Sequence, residues 1–449
     1  MSIVIAGAEE LGTYLASVLS DEQQNVIIID PDEEKLEQFA RSADVATVCG
    51  TCHDWQLLDR IVEQKPQLFL AMSSCDATNL LACSIAKNLG YPTTVCRITN
   101  ASFLDQSRLD IDRLFYVDHL IAPELIVAHE LFKCLSHPGS IAVESFAHGA
   151  VQMRTIVLPS EFPERGKTLR ELKFGDDLLI GMIRRKRENG GEIIFPHGDD
   201  KLEPGDEVTF VGDTSTMMNI PSRFGLRGKE IKSAVVAGSS PVVHHLAKIL
   251  LGHGIGVKVM DSDLPRCEQL AKIEGNITVI QQDPSNIKFL LSERVDQSDV
   301  FLAATPSTEF NILTASLAQE AGVSDVYSLV SDMRHSHLLK RLGIDYAVSE
   351  KECITSRILS FIHAESAIST RTLYENRVMI MELKVSSGTK IAGVPVRDLG
   401  HLLPKDCLIA LIENRGQIMI AKGNRIFAPG DTVIIICSPK HVDEIKGIF

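Results

Sequence analysis

Ser2 to Ala6 is a short apolar run of strand type, and it leads straight into the turn Gly7-Ala8-Glu9-Glu10-Leu11-Gly12. Leu11, Tyr14, Leu15, Val18 and Leu19 follow at helical spacing and give one apolar face. Val26 to Ile29 is a buried-type strand that ends in Asp30. Strand, glycine turn, helix, strand and acid within about 30 residues is the start of a dinucleotide-type βαβ unit. The alternation continues through strands at Ala43 to Val48, Gln67 to Met72 and Thr93 to Ile98. Helices at Trp55 to Val62 and Thr78 to Leu89 lie between them. Strands that alternate with helices require a parallel sheet covered on both faces.

The unit recurs. Ala234 to Ala237 is a strand, Gly238-Ser239-Ser240 a turn, His245 to Leu251 a helix, and Gly256 to Met260 a strand ending in Asp261. Four anchors fix the offset: 238 − 7 = 231 for glycine, 311 − 79 = 232 for asparagine, 345 − 118 = 227 for aspartate and 430 − 205 = 225 for Gly-Asp. The chain is therefore a duplicated two-domain unit, not a solenoid of short repeats. After each βα segment the texture changes to strands such as Val151 to Leu158, Leu178 to Ile183 and Glu207 to Val211, separated by Gly/Pro/Asp turns. A short helix is expected at Leu169 to Leu172. The predicted fold class is α/β: two Rossmann-like, doubly wound parallel-sheet domains, each followed by a small β-rich α+β domain. The expected domains are 1–136, 140–220, 231–366 and 373–449.

Composition narrows the function. With 45 basic and 59 acidic residues the net charge is −14, which argues against nucleic acid as a partner and against direct docking on an anionic membrane. No window approaches the ~20 apolar residues of a membrane helix, and MSIVIAGAEELG has no basic leader region. The ten cysteines are scattered through the chain and read as reduced cytosolic thiols.

The glycine turn carries the candidate site. In G-x-G-x-x-G the first glycine permits the tight turn, the second admits a pyrophosphate, and the third lets helix and strand pack. Here Gly7 and Gly12 keep the outer places and Glu9 stands in the middle one, adding bulk and negative charge at a helix N-terminus suited to phosphate. Asp30 is placed to bind ribose hydroxyls and to favour NAD(H) or an adenosine nucleotide over NADP. The second turn keeps only its first glycine, with Pro241 and Val243 at later positions, so that copy is degenerate. Cys49-Gly50-Thr51-Cys52 has the spacing of a redox pair, with Cys52 expected near a helix N-terminus that would lower its pKa. The alternative is a set of small residues beside a passing adenosine. His244, His245, His335 and His337 lack further ligands at metal spacing. No nucleophile, base and orienting group stand together in the sequence, so no catalytic residue is assigned.

Several segments resemble the TrkA-type regulatory subunits of bacterial potassium uptake systems, which are tandem RCK (KTN) proteins. Ser73-Ser74-Cys75-Asp76-Ala77-Thr78-Asn79 is similar to the family's stretch after the fourth strand. Asp118-His119-Leu120-Ile121-Ala122-Pro123-Glu124 is similar to the start of its crossover helix. Gly166-Lys167-Thr168-Leu169-Arg170-Glu171-Leu172, with Leu202, Pro204, Gly205 and Asp206, is similar to its C-domain pattern. Ser307-Thr308-Glu309-Phe310-Asn311 and Pro429-Gly430-Asp431 echo these in the second half. The resemblance spans essentially the whole chain. It implies a non-enzymatic cytoplasmic subunit, peripheral to the inner face of the plasma membrane, that binds NAD(H) or ATP/ADP. It also implies a homotetramer or dimer of dimers beneath a TrkH-like potassium-translocating membrane subunit. The family's nucleotide cleft maps onto Gly7, Ala8, Gly12, Asp30, Gly50, Thr51, Ser73, Asn79 and Arg97. Apolar helices around Leu125 to Leu135 and Ile354 to Ile362 are expected to make subunit contacts. The competing readings are an NAD-dependent oxidoreductase and an assembly scaffold that has lost nucleotide binding.

Overall fold

The computed structural model describes residues 2–449 apart from 105–108, 138–139, 147–150, 173–177, 188–189, 218, 227–230, 332, 334–335, 345, 363–368, 374–376, 387, 390, 405, 415–416 and 422. His335, Asp345 and the expected boundary at 366 lie outside the described residues. The chain divides into two compact units. One comprises Met1–Glu130 with Val235–Thr355, the other Leu131–Ala234 with Ser356–Phe449.

The first N-domain alternates β1 (Ser2–Ala6), α1 (Glu10–Asp21), β2 (Asn25–Asp30), α2 (Glu33–Ala40), β3 (Ala46–Cys49), α3 (Trp55–Val62), β4 (Leu68–Ala71), α4 (Asp76–Leu89), β5 (Thr93–Arg97), α5 (Ile111–Phe115), β6 (His119–Ile121) and α6 (Pro123–Ser136). Its sheet order is β3-β2-β1-β4-β5-β6, and each strand runs parallel to its neighbours. Ile3, Val4, Ile5 and Ala6 are fully buried, as are Phe69, Leu70 and Ala71. Such continuous apolar strands are what a sheet covered on both faces demands. The edge strand β3 is mostly exposed. Asp32, Asp54 and Asp110 cap α2, α3 and α5 with side-chain oxygens, and Gly90 ends α4 at φ +101°, the left-handed stop that glycine adopts without strain.

The first C-domain follows with β7 (Ser140–Phe146), β8 (Val151–Val157), β9 (Leu178–Arg187), β10 (Gly190–Ile194), β11 (Glu207–Asp213), α7 (Thr214–Met217) and α8 (Ile220–Arg223). The expected helix at Leu169 to Leu172 is instead a pair of turns, with Glu171 and Leu172 N–H both donating to Thr168 O. The Gly205-Asp206 anchor has a structural cause. The Asp206 carboxylate accepts from Arg185 at 2.8 and 3.0 Å and from Glu203 N–H at 2.8 Å.

The second N-domain repeats the first: β12 (Ser233–Ala237), α9 (Pro241–Gly252), β13 (Gly256–Asp261), α10 (Leu264–Leu270), β14 (Ile277–Gln281), α11 (Ile287–Ser292), β15 (Val300–Ala303), α12 (Thr308–Glu320), β16 (Asp325–Val330), α13 (Ser336–Arg341), β17 (Tyr346–Ser349) and α14 (Glu350–Ile362). Its order, β14-β13-β12-β15-β16-β17, is the same as that of the first sheet. The second C-domain has β18 (Ser369–Leu373), β19 (Val378–Lys384), β20 (Cys407–Asn414), β21 (Gln417–Ile420), β22 (Thr432–Cys437) and α15 (Val442–Lys446). Its sheet opens at Ser369, ahead of residue 373. α6 and α14 carry the chain from one unit into the other. Within one chain their apolar residues Val127, Leu131, Leu135, Ile354 and Ile358 are buried, while Leu125, Ile126 and Phe132 are only partly buried.

The two C-domains share one core. Met153, Met182 and Val211 of the first pack in the same cluster as Ile380, Leu411 and Ile436 of the second. A Cβ at Gly181 would stand 2.5 Å from Ile436 Cδ1, so glycine is what lets the two halves approach. Ile436→Ala should destabilise this unit by about 2–5 kcal/mol. Urea unfolding, followed by a probe in each C-domain, should show both halves losing stability together. Independent transitions would contradict a shared core.

Candidate functional site

In a doubly wound sheet the strand order reverses between β1 and β4, and ligands bind in the crevice outside the strand ends at that point. The first crevice is built from the turn after β1, the end of β2, and the loops after β4 and β5. Gly7 sits at φ +113°, and a Cβ there would stand 2.9 Å from Ser73 N, so the turn and the β4 loop touch backbone to backbone. A Cβ at Gly12 would overlap Gly7 O, which is the helix–strand packing role of the third glycine.

Asp30 is buried and ties the turn to β2. Its Oδ2 accepts from Ala8 N–H at 2.7 Å and its Oδ1 from Asp32 N–H at 2.9 Å. Each carboxylate oxygen retains a further lone pair. Gly50 N–H donates to Asp30 O at 3.0 Å, which brings Gly50 and Thr51 to the same rim. Asn79 is fully buried on the opposite wall. Its Oδ1 accepts from Ser73 N–H at 3.0 Å and Ser73 Oγ at 2.7 Å. Its Nδ2 donates to Ser73 O at 2.8 Å and Arg97 O at 2.9 Å. Asn79 therefore fixes the ends of β4 and β5, and Ser73 and Arg97 are the groups it positions.

Glu9 points away from the turn. It is the N-cap residue of α1, but its side chain makes no capping hydrogen bond. Its Oε1 instead accepts from Ser74 Oγ at 2.7 Å, and its Oε2 lies 3.7 Å from Arg97 Nη1. Arg97 Nη1 also donates to Met72 O at 3.4 Å, while its buried Nε finds no hydrogen-bond partner. Gly7, Ala8, Gly12, Asp30, Gly50, Thr51, Ser73, Asn79 and Arg97 thus gather at one crevice. Sequence reasoning missed Ser74, and only the tertiary contact to Glu9 reveals it.

The rim of this crevice meets the second N-domain. Glu10 Oε1 lies 2.6 Å from Lys351 Nζ, and that ammonium stands 5.6 Å from the centre of the Tyr14 ring. Burial pushes the Glu350 carboxyl above its ordinary range, with Glu124 and Glu10 adding to the rise and Arg97 and Lys351 opposing it. Burial raises Glu124 as well, against its own backbone N–H and Arg97.

The second crevice keeps the scaffold and its strand-end acid but has no counterpart of the Glu9 carboxylate or the Arg97 guanidinium. Gly238 has the same φ of +113°, and Ser239 Oγ donates to Asp261 Oδ2 at 2.6 Å. Asn311 repeats the Asn79 bonds: it accepts from Thr305 N–H and Oγ1, and it donates to Thr305 O and Leu329 O. Leu329 therefore stands where the first crevice has Arg97. Ser240 stands where it has Glu9, and its hydroxyl caps α9 at Val243 N–H.

One expectation is corrected. Burial first, then Asp30, pushes the Cys52 thiol up to about 11, so Cys52 is a core residue and not a thiolate for redox exchange. His244 and His245 lie ring against ring at 6.0 Å. Among the described residues no group of three or more His, Cys, Asp or Glu could hold a metal ion, and no helix is long and apolar enough to cross a membrane.

Two consequences can be measured. Asn79→Ala removes the four hydrogen bonds of a fully buried amide that ties the ends of β4 and β5 together, and it should cost about 2–4 kcal/mol in denaturant unfolding; a loss within ~0.5 kcal/mol would contradict its bracing role. For Glu350 the folded pKa lies above the unfolded one. Its contribution is present below the ordinary carboxylate range and is lost as pH rises through the raised value. Glu350→Gln should therefore leave the melting temperature almost unchanged near about pH 4 and raise it near about pH 8. An effect of equal size at both would contradict the buried-carboxyl reading.

The TrkA-N domain family matches residues 3–119 and 234–350, and the TrkA-C domain family matches 153–225 and 380–449. A Trk system potassium uptake protein TrkA homolog 1 from Methanosarcina mazei is 29% identical, with all of both chains covered. The Trk system potassium uptake protein TrkA from Halomonas elongata is 25% identical over all of this chain and 98% of its own. Among solved structures, the GsuK RCK domain superposes with a TM-score of 0.63 at 16% identity, covering 99% of this chain and 94% of that one. The GsuK channel bound to NAD superposes with a TM-score of 0.63 at 15% identity, covering 100% and 78%. These likenesses show the fold. With both domain families matched in tandem over most of its length, the chain belongs to the TrkA family.

Proposed function

We propose that the chain is the nucleotide-binding regulatory subunit of a potassium uptake system, and that the first crevice is its ligand site. The observation that carries this reading is the position of the glycine turn. One face of it lines the crevice, and Glu10, the first residue of α1 directly after the turn, is ion-paired with Lys351 of the second N-domain. A ligand that reshapes the turn changes how the two N-domains pack. Such a ligand shifts the population of conformations only by as much as its affinities for them differ. The names of the relatives support potassium uptake as the setting, and the NAD-bound GsuK channel supports NAD(H) as a ligand class beside ATP or ADP. Asp30 disfavours a 2′-phosphate.

In this reading the chain works on the cytoplasmic side. It assembles as a homotetramer or dimer of dimers, and it passes its conformational change to a TrkH-like potassium-translocating membrane subunit. It catalyses no reaction. The second crevice, with Leu329 in place of a guanidinium, takes no phosphate-bearing ligand tightly.

Calorimetric titration of the full chain with NAD⁺, NADH, ATP and ADP tests the reading. Saturable binding at one site per chain is expected for at least one of them. Lys351→Ala should retain that binding and lose the ligand-dependent change in small-angle X-ray scattering. Absence of binding would leave the assembly scaffold. Turnover of NADH with a substrate would establish the oxidoreductase instead.

A further inference from the structure

The crevice holds an anion of its own. Glu9 belongs to the turn after β1, yet its carboxylate reaches the loop after β4 at Ser74 and the end of β5 at Arg97. It therefore bridges the two sides of the switch point, across the place where a pyrophosphate would pass toward the N-terminus of α1. Arg97 is the cation facing that path. It is largely buried, and its Nε has no hydrogen-bond partner. A guanidinium can bind a carboxylate or a phosphate in the same way, and it holds one the more firmly when both N–H edges are engaged. Glu9 Oε2 stands 3.7 Å from Nη1, beyond hydrogen-bond reach and looser than the pairing a phosphate would make.

The duplication supplies an internal control. The second crevice retains the glycine at φ +113°, the strand-end aspartate and the bracing asparagine. It has Ser240 in place of Glu9 and Leu329 in place of Arg97. The acid and the guanidinium are present together in one copy and absent together from the other. A carboxylate retained only to favour the helix N-terminus would need no such partner.

Resting on the reading of the first crevice as a nucleotide site, we propose that Glu9 is a built-in competitor for the ligand's phosphate. It forms a latch with Ser74 and Arg97 that a phosphate-bearing nucleotide must displace before it binds. The latch sets selectivity as well as affinity. A ligand that brings two or more phosphate charges to Arg97 can displace one carboxylate, whereas adenosine has nothing to exchange. The closed form lowers apparent affinity by the fraction of molecules in which Arg97 is free. Its opening also releases the turn that leads into Glu10, and this links entry of the phosphate to the Lys351 contact.

The test is titration of the full chain with ADP, AMP and adenosine, for wild type, Glu9→Gln and Ser74→Ala. Glu9→Gln keeps the shape and the acceptor for Ser74 while removing the charge. It should tighten ADP about tenfold, AMP less, and adenosine by no more than about twofold. The gain on ADP should shrink as salt rises. Ser74→Ala keeps the charge and loosens the closed form, and it should tighten ADP by a smaller factor. Thermal melts identify variants that have lost their fold. The latch is overturned if ADP binds wild type and Glu9→Gln equally, if adenosine gains as much as ADP, or if Ser74→Ala leaves ADP unchanged. If none of the three ligands binds any variant, the nucleotide reading itself falls and the latch falls with it.

Discussion

The side-chain amide of Asn79 closes the gap between the ends of β4 and β5, and the shape of the first crevice follows from it. An amide has two donor hydrogens and an oxygen with two lone pairs. Here both groups face backbone or hydroxyl partners at the partly buried ends of β4 and β5. The bonds hold Ser73 against the glycine turn and hold Arg97 at the crevice wall. Asn311 repeats the device in the second copy, where no guanidinium remains to be positioned. The brace belongs to the fold, and the charges set upon it belong to one copy.

Much of this was legible in the sequence because a parallel sheet writes itself plainly. Continuous apolar runs such as Ile3 to Ala6, followed by glycine turns and helical periodicity, admit few topologies. The duplication then doubled every signal. The recurring Gly-Asp of the C-domains marks the repeat in the sequence, and its cause is the Asp206 carboxylate that binds Arg185 and the turn. What escaped depended on long-range geometry. The direction of the Glu9 side chain is set by Ser74, 65 residues away. The Cys52 thiol lies near a helix start in sequence, but its burial outweighs any helix effect. Leu169 to Leu172 had the composition of a helix, yet Thr168 takes the local hydrogen bonds and leaves turns. For α6 and α14 the sequence shows an apolar face without showing what covers it.

The two copies have diverged in a way that separates scaffold from site. Both keep the positive-φ glycine, the strand-end acid and the amide brace, which are the demands of the backbone. Only the first keeps Gly12, Arg97 and the acidic turn. A chain that used both crevices alike would be expected to retain the same charges in each. The asymmetry is what the proposal of one ligand site per chain, coupled to the second N-domain through the Glu10–Lys351 pair, expects.

The most direct measurement is an experimental structure of the full chain determined with ADP or NADH bound. The expected result is ligand in the first crevice, its phosphates on Arg97 and the N-terminus of α1, Glu9 turned away from Ser74, and the second crevice empty. Ligand in the second crevice, or ligand in the first with Glu9 still held by Arg97 and Ser74, would contradict the account.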